Sequence, residues 1–153
     1  MPENRVNATL SPADQQAVLD AIATIKAKLP FLVDLTPTER QILPKMGDKS
    51  RAFVHKALEV ATQNPGFLPR DFDLAEMRHD VELFESLQPV VVALTQLQEL
   101  VDDTVVGVGS EAYTAALLVY QYAKASNLGA ALDDLADALG RRFARKAKSA
   151  PPQ

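Results

Sequence analysis

The sequence predicts an all-α fold, and three observations support that prediction. Apolar residues recur every three or four positions along most of the chain, which is the spacing of one face of an α-helix. No run alternates apolar and polar residues for long enough to predict a β-strand. Capping residues, prolines and glycines divide the pattern into segments, each with one apolar stripe that needs a partner. We therefore expect an antiparallel bundle of four long helices, with an additional short helix packed across one end.

Serine, threonine and proline mark the first two helices. A capping hydroxyl followed by proline at the first helical position is a start signal, and it occurs at Ser11-Pro12 and at Thr36-Pro37. A later proline stops each pattern, at Pro30 for the first helix and near Pro44 for the second, which is short. The first helix carries an apolar stripe of Val18, Ile22, Ile25 and Leu29.

The next two helices have start signals of different kinds. The third is predicted to begin around Asp48 and to end before Pro65. The fourth begins with a capping box, in which Asp73 is the N-cap and Glu76 lies three residues further on. From there apolar residues continue in steps of three, four and seven past Pro89, which predicts one long helix that this proline kinks or splits.

Glycines mark the last two helix boundaries. The segment Gly107-Val108-Gly109-Ser110 predicts a break, after which Ser110 caps the next helix. That helix ends at Asn127 and Gly129, because both residue types tolerate the left-handed backbone that terminates helices. Its alanine-rich faces would allow close helix approach or a dimer interface. A last helix follows, with an apolar stripe of Leu132, Leu135, Leu139 and Phe143.

Length and composition bound the organisation of the chain. At 153 residues it fits one domain, which we place at residues 11–148, between a flexible N-terminal segment 1–10 and a flexible tail 149–153. The absence of cysteine excludes disulfides and thiolate metal sites. The net charge of -4 argues against a dedicated nucleic-acid binder, and no apolar run approaches the roughly 20 residues that span a bilayer. We expect a cytoplasmic protein without membrane insertion.

Three segments carry a resemblance to a known family. They are Leu43–Val54 (LPKMGDKSRAFV), Leu100–Thr104 (LVDDT) and Gly109–Tyr113 (GSEAY). Through them the chain resembles a family of small uncharacterised bacterial proteins over residues 35–143, in the same order and with the same spacing. The resemblance implies an all-helical fold, and it brings no activity, substrate or functional residue with it.

Basic residues surround the predicted start of the third helix. Lys45, Lys49 and Arg51 lie beside backbone N–H groups that favour anions, so this stretch is a candidate binding site for a carboxylate or phosphate. The alternative is that these cations pair with acidic residues elsewhere in the fold, such as Asp102 and Asp103. A phosphate-binding loop is not predicted, because the stretch lacks the preceding strand and the second glycine that such a loop needs.

Two further motifs lack the context that their chemistry needs. Gly107–Ala112 has the letters of a dinucleotide fingerprint, but it follows helix-patterned residues instead of a strand. Glu76 and His79 match the Glu-x-x-His element of di-iron bundles, whereas His55 has Ala52 at the place where a second glutamate would be needed. We therefore predict no metal site and no cofactor.

A basic segment lies near the C-terminus. Its cations complement the dipole at the end of a helix, and the alternative is contact with nucleic acid or an anionic membrane surface. We favour the first interpretation and do not expect nucleic-acid binding. The segment consists of Arg141, Arg142, Arg145, Lys146 and Lys148.

The sequence contains no recognisable catalytic pattern, since there is no cysteine and both histidines lie on charged helical faces. We therefore expect a non-enzymatic protein that acts through protein–protein interaction, with itself as a homodimer or with another protein. The alternative is a binder of a small anionic ligand, or an enzyme, with a site near the 45–51 and 110–113 turns.

Overall fold

The computed structural model describes residues 4–147, with side chains described for residues 4–141. Within residues 4–147 all regular structure is helical, which confirms the predicted all-α class. The helices are α1 (Pro12–Lys28), α2 (Pro37–Ile42), α3 (Asp48–Gln63), α4 (Leu74–Ala125) and α5 (Ala130–Ala147), with a 3₁₀ turn at Pro65–Phe67. α4 has 52 residues whereas the others have 6 to 18, so the described residues do not form the four long helices of the predicted bundle.

Contacts divide the chain into two compact units. One unit comprises Thr9–Leu97, and we call it the 9–97 unit. The other joins Met1–Ala8 to Gln98–Gln153, of which residues 4–8 and 98–147 are described, and we call it the terminal unit. The division falls inside α4, so each unit contains part of that helix.

Side-chain caps form at three of the helix starts that the sequence predicts, those of α1, α2 and α4. Ser11 Oγ accepts a 3.0 Å hydrogen bond from a backbone N–H in the first turn of α1. At α2 the capping box is complete, since Thr36 Oγ1 accepts from the Glu39 N–H and the Glu39 carboxylate accepts from the Thr36 N–H. Asp73 Oδ1 accepts a 2.9 Å bond from the N–H of Glu76 at the start of α4. These caps satisfy backbone donors that a helix start otherwise leaves unpaired.

The predicted break at 107–110 is wrong, because α4 continues through it. A glycine inside a helix costs only about 1 kcal/mol relative to alanine, which the surrounding helical residues can offset. The N-terminal segment also covers this part of the helix. Val6 lies beside Gly107, and the backbone N–H of Arg5 donates a 2.6 Å hydrogen bond to Oε1 of Glu111.

The predicted end of this helix is confirmed. α4 stops at Ala125, and Asn127 and Gly129 have positive φ angles of 52° and 60°. Left-handed backbone at these two residues ends the helix and leads the chain into α5. Pro89 lies inside α4 and does not split it.

In the 9–97 unit, α3 and the first part of α4 pack antiparallel. Arg51 near the start of α3 contacts Glu85 of α4. Near the end of α3, Thr62 Oγ1 accepts a 3.3 Å hydrogen bond from Nη2 of Arg78, which lies earlier on α4. The core of this unit is small. Its buried residues are Ala61 and Val81.

α1 contributes little to that core. Ile25 and Leu29 of its predicted apolar stripe are half-buried, but Val18 and Ile22 are exposed. The stripe therefore lies largely open along the first three turns of the helix.

In the terminal unit, α5 packs on the last part of α4. The turn between them covers only residues 126–129, which makes the two helices antiparallel neighbours. Ala123 is the buried residue of this unit, with 4% of its surface exposed. The two helices face each other across a cavity of about 200 Å³, which is lined by Tyr113, Ala116, Leu117 and Tyr120 of α4 and by Leu135, Ala138 and Leu139 of α5.

Candidate functional site

An apolar strip on α4 lies open along the terminal unit. Its residues are spaced alternately four and three apart, which places them on one side of the helix. All of them are exposed, with Val105 at 64% and Tyr122 at 71%. We call this strip the α4 seam, and it consists of Val101, Val105, Val108, Ala112, Ala115, Val119 and Tyr122.

The helix surfaces on both sides of the seam are covered over part of its length. Tyr120 packs towards α5, on a strip that lies about 100° around the helix from the seam. On the other side, Gly107 and Glu111 meet the N-terminal residues Val6 and Arg5. This part of α4 is therefore apolar on an open side as well as on its packed side. A helix with apolar residues on two sides is usually buried on both.

The seam carries almost no charge. Its residues are valines, alanines and one tyrosine, and the nearest carboxylates in the same helix belong to Asp102 and Glu111. Glu111 already accepts a hydrogen bond from the Arg5 backbone. The small side chains of Ala112 and Ala115 would allow a second helix to approach closely at the middle of the seam. These properties favour a helix–helix interface.

Apolar side chains are exposed in the 9–97 unit as well. Residues 91–97 of α4 are all exposed, and they include Val91, Leu94 and Leu97. Single exposed apolar residues are ordinary on protein surfaces, but contiguous ones on one helix mark an interaction surface. Both units therefore have helix surface suited to a partner.

Arg51, a predicted anion-site residue, has a structural partner in Glu85 of α4. Its Nε donates to Oε1 at 2.7 Å and its Nη2 donates to Oε2, so the pair is bidentate. His55, one turn further along α3, places Nε2 at 2.8 Å from the same Oε1. The hydrogen bonds from Arg51 and then His55 hold the pKa of Glu85 below its ordinary value of 4.5. We call Arg51, His55 and Glu85 the Glu85 cluster.

The other two predicted anion-site residues lie at the start of α3. Lys45 and Lys49 are exposed, and neither makes an ion pair with another described residue. Gly47 is the N-cap of α3 and provides no side-chain hydrogen bond to the first turn. The anion site therefore stays a prediction. Arg51 would contribute little to its positive charge, because its guanidinium is paired with the Glu85 carboxylate.

The predicted turn at 110–113 is instead part of α4. The Ser110 carbonyl accepts a 2.8 Å hydrogen bond from Thr114 Oγ1 within that helix, so Ser110 is not an N-cap. Tyr113 lines the cavity between α4 and α5. The glycines of Gly107–Ala112 are helical, and that segment does not form the strand–turn–helix that dinucleotide binding needs.

The described residues also bear on the predictions about metal binding, membrane insertion and the basic C-terminal segment. In the part of the chain that was described, no group of three or more His, Asp or Glu side chains could hold a metal ion. No described helix combines the length and apolarity needed to cross a membrane. The side chains of Arg142, Phe143, Arg145 and Lys146, and all of residues 148–153, lie outside the described residues.

Two features were missed by the sequence analysis. Glu85 was not singled out, and no local signal could have found it because Arg51 lies 34 residues away. The spacing of the α4 seam is visible in the sequence, but the predicted break at 107–110 divided it. Without that break the alternation continues from Val101 to Tyr122.

Comparisons with models of known protein families, with curated proteins and with solved structures find no match to this chain. The geometry of the described residues is therefore what supports a function.

Proposed function

We propose that the protein is a non-enzymatic interaction protein that self-associates through the α4 seam. The observation that carries this proposal is the exposure of every seam residue on a helix that is covered on either side of the seam over part of its length. A second copy would cover the seam with an identical strip. Isologous contacts of this kind are the commonest interface of homo-oligomers.

The geometry of the terminal unit supports a specific form of dimer. Each helix of a four-helix bundle contacts two neighbours, so it needs two contact strips about a quarter-turn apart. On α4 the strip that faces α5 and the seam are about 100° apart. One copy supplies two antiparallel helices, α4 and α5. We therefore place the antiparallel four-helix bundle between two copies of the chain.

The chemistry of the seam favours a second copy over a charged partner. The seam has no cation or carboxylate that would select a basic or acidic surface. An apolar strip of valines around central alanines is complementary to itself. The net charge of -4 opposes association only weakly at physiological salt, where charges more than about 8 Å apart are screened.

Apolar burial is of the right size to offset the cost of association. The four valines and Tyr122 of the seam are each about half exposed or more. Burying the exposed apolar surface of each of these five side chains contributes about 1 kcal/mol, which gives about 10 kcal/mol for both copies together. Association costs about 4–15 kcal/mol in lost freedom. We therefore expect a dimer whose population depends on protein concentration.

The test is sedimentation velocity of the chain and of two matched variants. Val105→Asp places a carboxylate in the seam, whereas Val106→Asp places the same charge at a neighbouring exposed valine outside it. The wild type and Val106→Asp should change from dimer to monomer on dilution from about 100 to about 1 µM. Val105→Asp should be a monomer throughout that range, because a carboxylate would be buried without a partner.

Two results would contradict the proposal. One is a wild-type chain that is monomeric at every concentration. The other is equal weakening of the dimer by Val105→Asp and Val106→Asp, which would place the interface elsewhere. Circular dichroism of both variants shows whether the helices have formed.

A further inference from the structure

A second open surface lies in the 9–97 unit, where α3, the 3₁₀ turn and the start of α4 meet. It is a groove of about 700 Å³, within the range of small-ligand and peptide sites. Its floor is apolar and open to solvent, since Phe67 is 63% exposed and Phe72 is 43% exposed. The remaining floor residues are Ala57, Val60, Ala61, Leu68 and Met77.

One edge of this groove is acidic. Asp73, Glu76 and Asp80 line it from the first turns of α4, at a spacing that places them on the same side of the helix. Asp73 is engaged as the N-cap, but no hydrogen bond or ion pair joins the side chain of Glu76 or Asp80 to another described residue. We call the floor and this edge the acidic groove.

Lys56 is the one cation among the described residues that line the groove, and it does not neutralise this edge. Nζ of Lys56 lies 2.8 Å from Oε2 of Glu59, which is on the same helix. Because both residues lie on α3, the pair is held within that helix, and the hydrogen bond from Lys56 lowers the pKa of Glu59. The acidic edge therefore presents unbalanced negative charge beside exposed aromatic rings.

Backbone hydrogen bonds hold the groove in shape. The N–H of Leu68 donates to the Pro65 carbonyl at 3.2 Å, and the N–H of Phe72 donates to the Pro69 carbonyl at 3.1 Å. The Asp73 cap then fixes the first turn of α4. A binding surface that is already ordered loses less entropy when a partner binds.

We propose that the acidic groove binds an amphipathic basic helix of a partner protein. Two antiparallel helices, α3 and α4, form its walls, and a third helix packs well into the channel between two others. The apolar side of the partner helix covers Phe67 and Phe72, while its lysines and arginines face Asp73, Glu76 and Asp80. This site is separate from the α4 seam, which has no charge to select such a partner.

The experiment is a titration of the full chain into a fluorescent synthetic helix, followed by anisotropy. The probe has leucines at i, i+3, i+4 and i+7 and lysines elsewhere, and a matched probe has glutamate in place of lysine. The basic probe should bind at least about tenfold more tightly than the acidic one. Its affinity should fall as salt rises, because screening weakens the contact with the acidic edge.

Matched variants locate the site. Glu76→Gln with Asp80→Asn should weaken binding of the basic probe about tenfold or more. Glu82→Gln with Asp34→Asn removes the same charge elsewhere in the unit and should leave the affinity unchanged. Phe67→Ser should weaken binding, whereas Phe53→Ser, at an exposed phenylalanine outside the groove, should not.

Three outcomes would overturn the proposal. The first is equal binding of the two probes, and the second is equal loss from the two charge-removing pairs. The third is equal weakening by Phe67→Ser and Phe53→Ser, which would place the binding surface outside the groove.

Discussion

Val6 lies against Gly107, where a Cβ added to the glycine would be 3.7 Å from Cγ2 of Val6. That distance is an ordinary van der Waals contact, so the glycine is not required by a lack of space. Gly109, two residues further on, would meet nothing within 4 Å. Both glycines are interior residues of α4, and each lowers the intrinsic stability of that helix.

We predict that Gly109→Ala stabilises the protein. Alanine favours a helix over glycine by about 1 kcal/mol, and the added methyl group has open space around it. The free energy of unfolding, measured by urea denaturation at fixed protein concentration, should rise by about 0.5–1 kcal/mol. A fall would mean that residues 107–110 form the break that the sequence predicts.

Gly129→Ala is the matched control, and its effect should have the opposite sign. Gly129 has a φ of 60°, a conformation that disfavours any side chain with a Cβ. Its added methyl group also has space, so backbone strain alone should lower the free energy of unfolding by about 1 kcal/mol. The pair separates the effect of helix propensity from that of packing.

Helix ends could be predicted where the signal is local. Ser11 caps a backbone donor three residues away, and Asn127 and Gly129 end α4 through their own backbone conformation. The interior of α4 could not be predicted this way. Glycines at 107 and 109 resemble a turn, and the residues that cover this part of the helix come from the N-terminal segment about 100 positions earlier, with Arg5 and Glu111 106 apart.

Cysteine cross-linking should detect the proposed dimer. The chain has no cysteine, so a single Ala112→Cys variant has one reactive thiol at the middle of the seam. A disulfide requires Cβ atoms about 3.5–4.5 Å apart, a distance that only a close helix pair provides. Mild oxidation should therefore give a disulfide-linked dimer on non-reducing gels.

Gln121→Cys is the control for random collision. Gln121 is exposed on α4 but lies on the side opposite the seam. It should give little cross-linked dimer under the same oxidation. Similar yields from the two variants would indicate collision instead of a seam interface.

Loss of the Ser11 cap should loosen α1 without unfolding the 9–97 unit. An N-cap replaced by alanine costs about 1 kcal/mol, and little of α1 is buried. In Ser11→Ala, amide hydrogen exchange within α1 should be about fivefold faster, with α3 unchanged. Ser11→Asp should restore protection because aspartate is an equally good N-cap. Equal acceleration in α1 and α3 would show that α1 unfolds together with the rest of the unit.

Candidate sites were less predictable than helix ends, for a physical reason. Lys45, Lys49 and Arg51 were grouped because they are close in sequence, but Arg51 points to a carboxylate on another helix. Its partner is set by the antiparallel packing of α3 on α4, which sequence spacing does not specify. The acidic groove likewise requires Phe67 and Asp80, which belong to separate elements, to line the same surface.

The Glu85 cluster should make part of the stability of the 9–97 unit depend on pH. Arg51 and His55 lower the pKa of Glu85 in the folded chain, so the unfolded carboxylate binds a proton more readily. The stabilisation is therefore present above the ordinary value of 4.5 and is lost as pH falls through the lower folded value. At pH 7, Glu85→Gln should lower the free energy of unfolding, and its difference from wild type should shrink as pH falls below 4.5.

Glu82→Gln is the control for this experiment, because Glu82 lies one turn earlier on α4 and makes no ion pair with another described residue. The free energy of unfolding of Glu82→Gln should differ little from that of the wild type between pH 7 and pH 3. The Glu85 side chain is partly exposed, so added salt should also reduce the effect of Glu85→Gln at pH 7. A Glu85→Gln difference that does not change with pH would mean that lost packing, and not lost charge, explains the destabilisation.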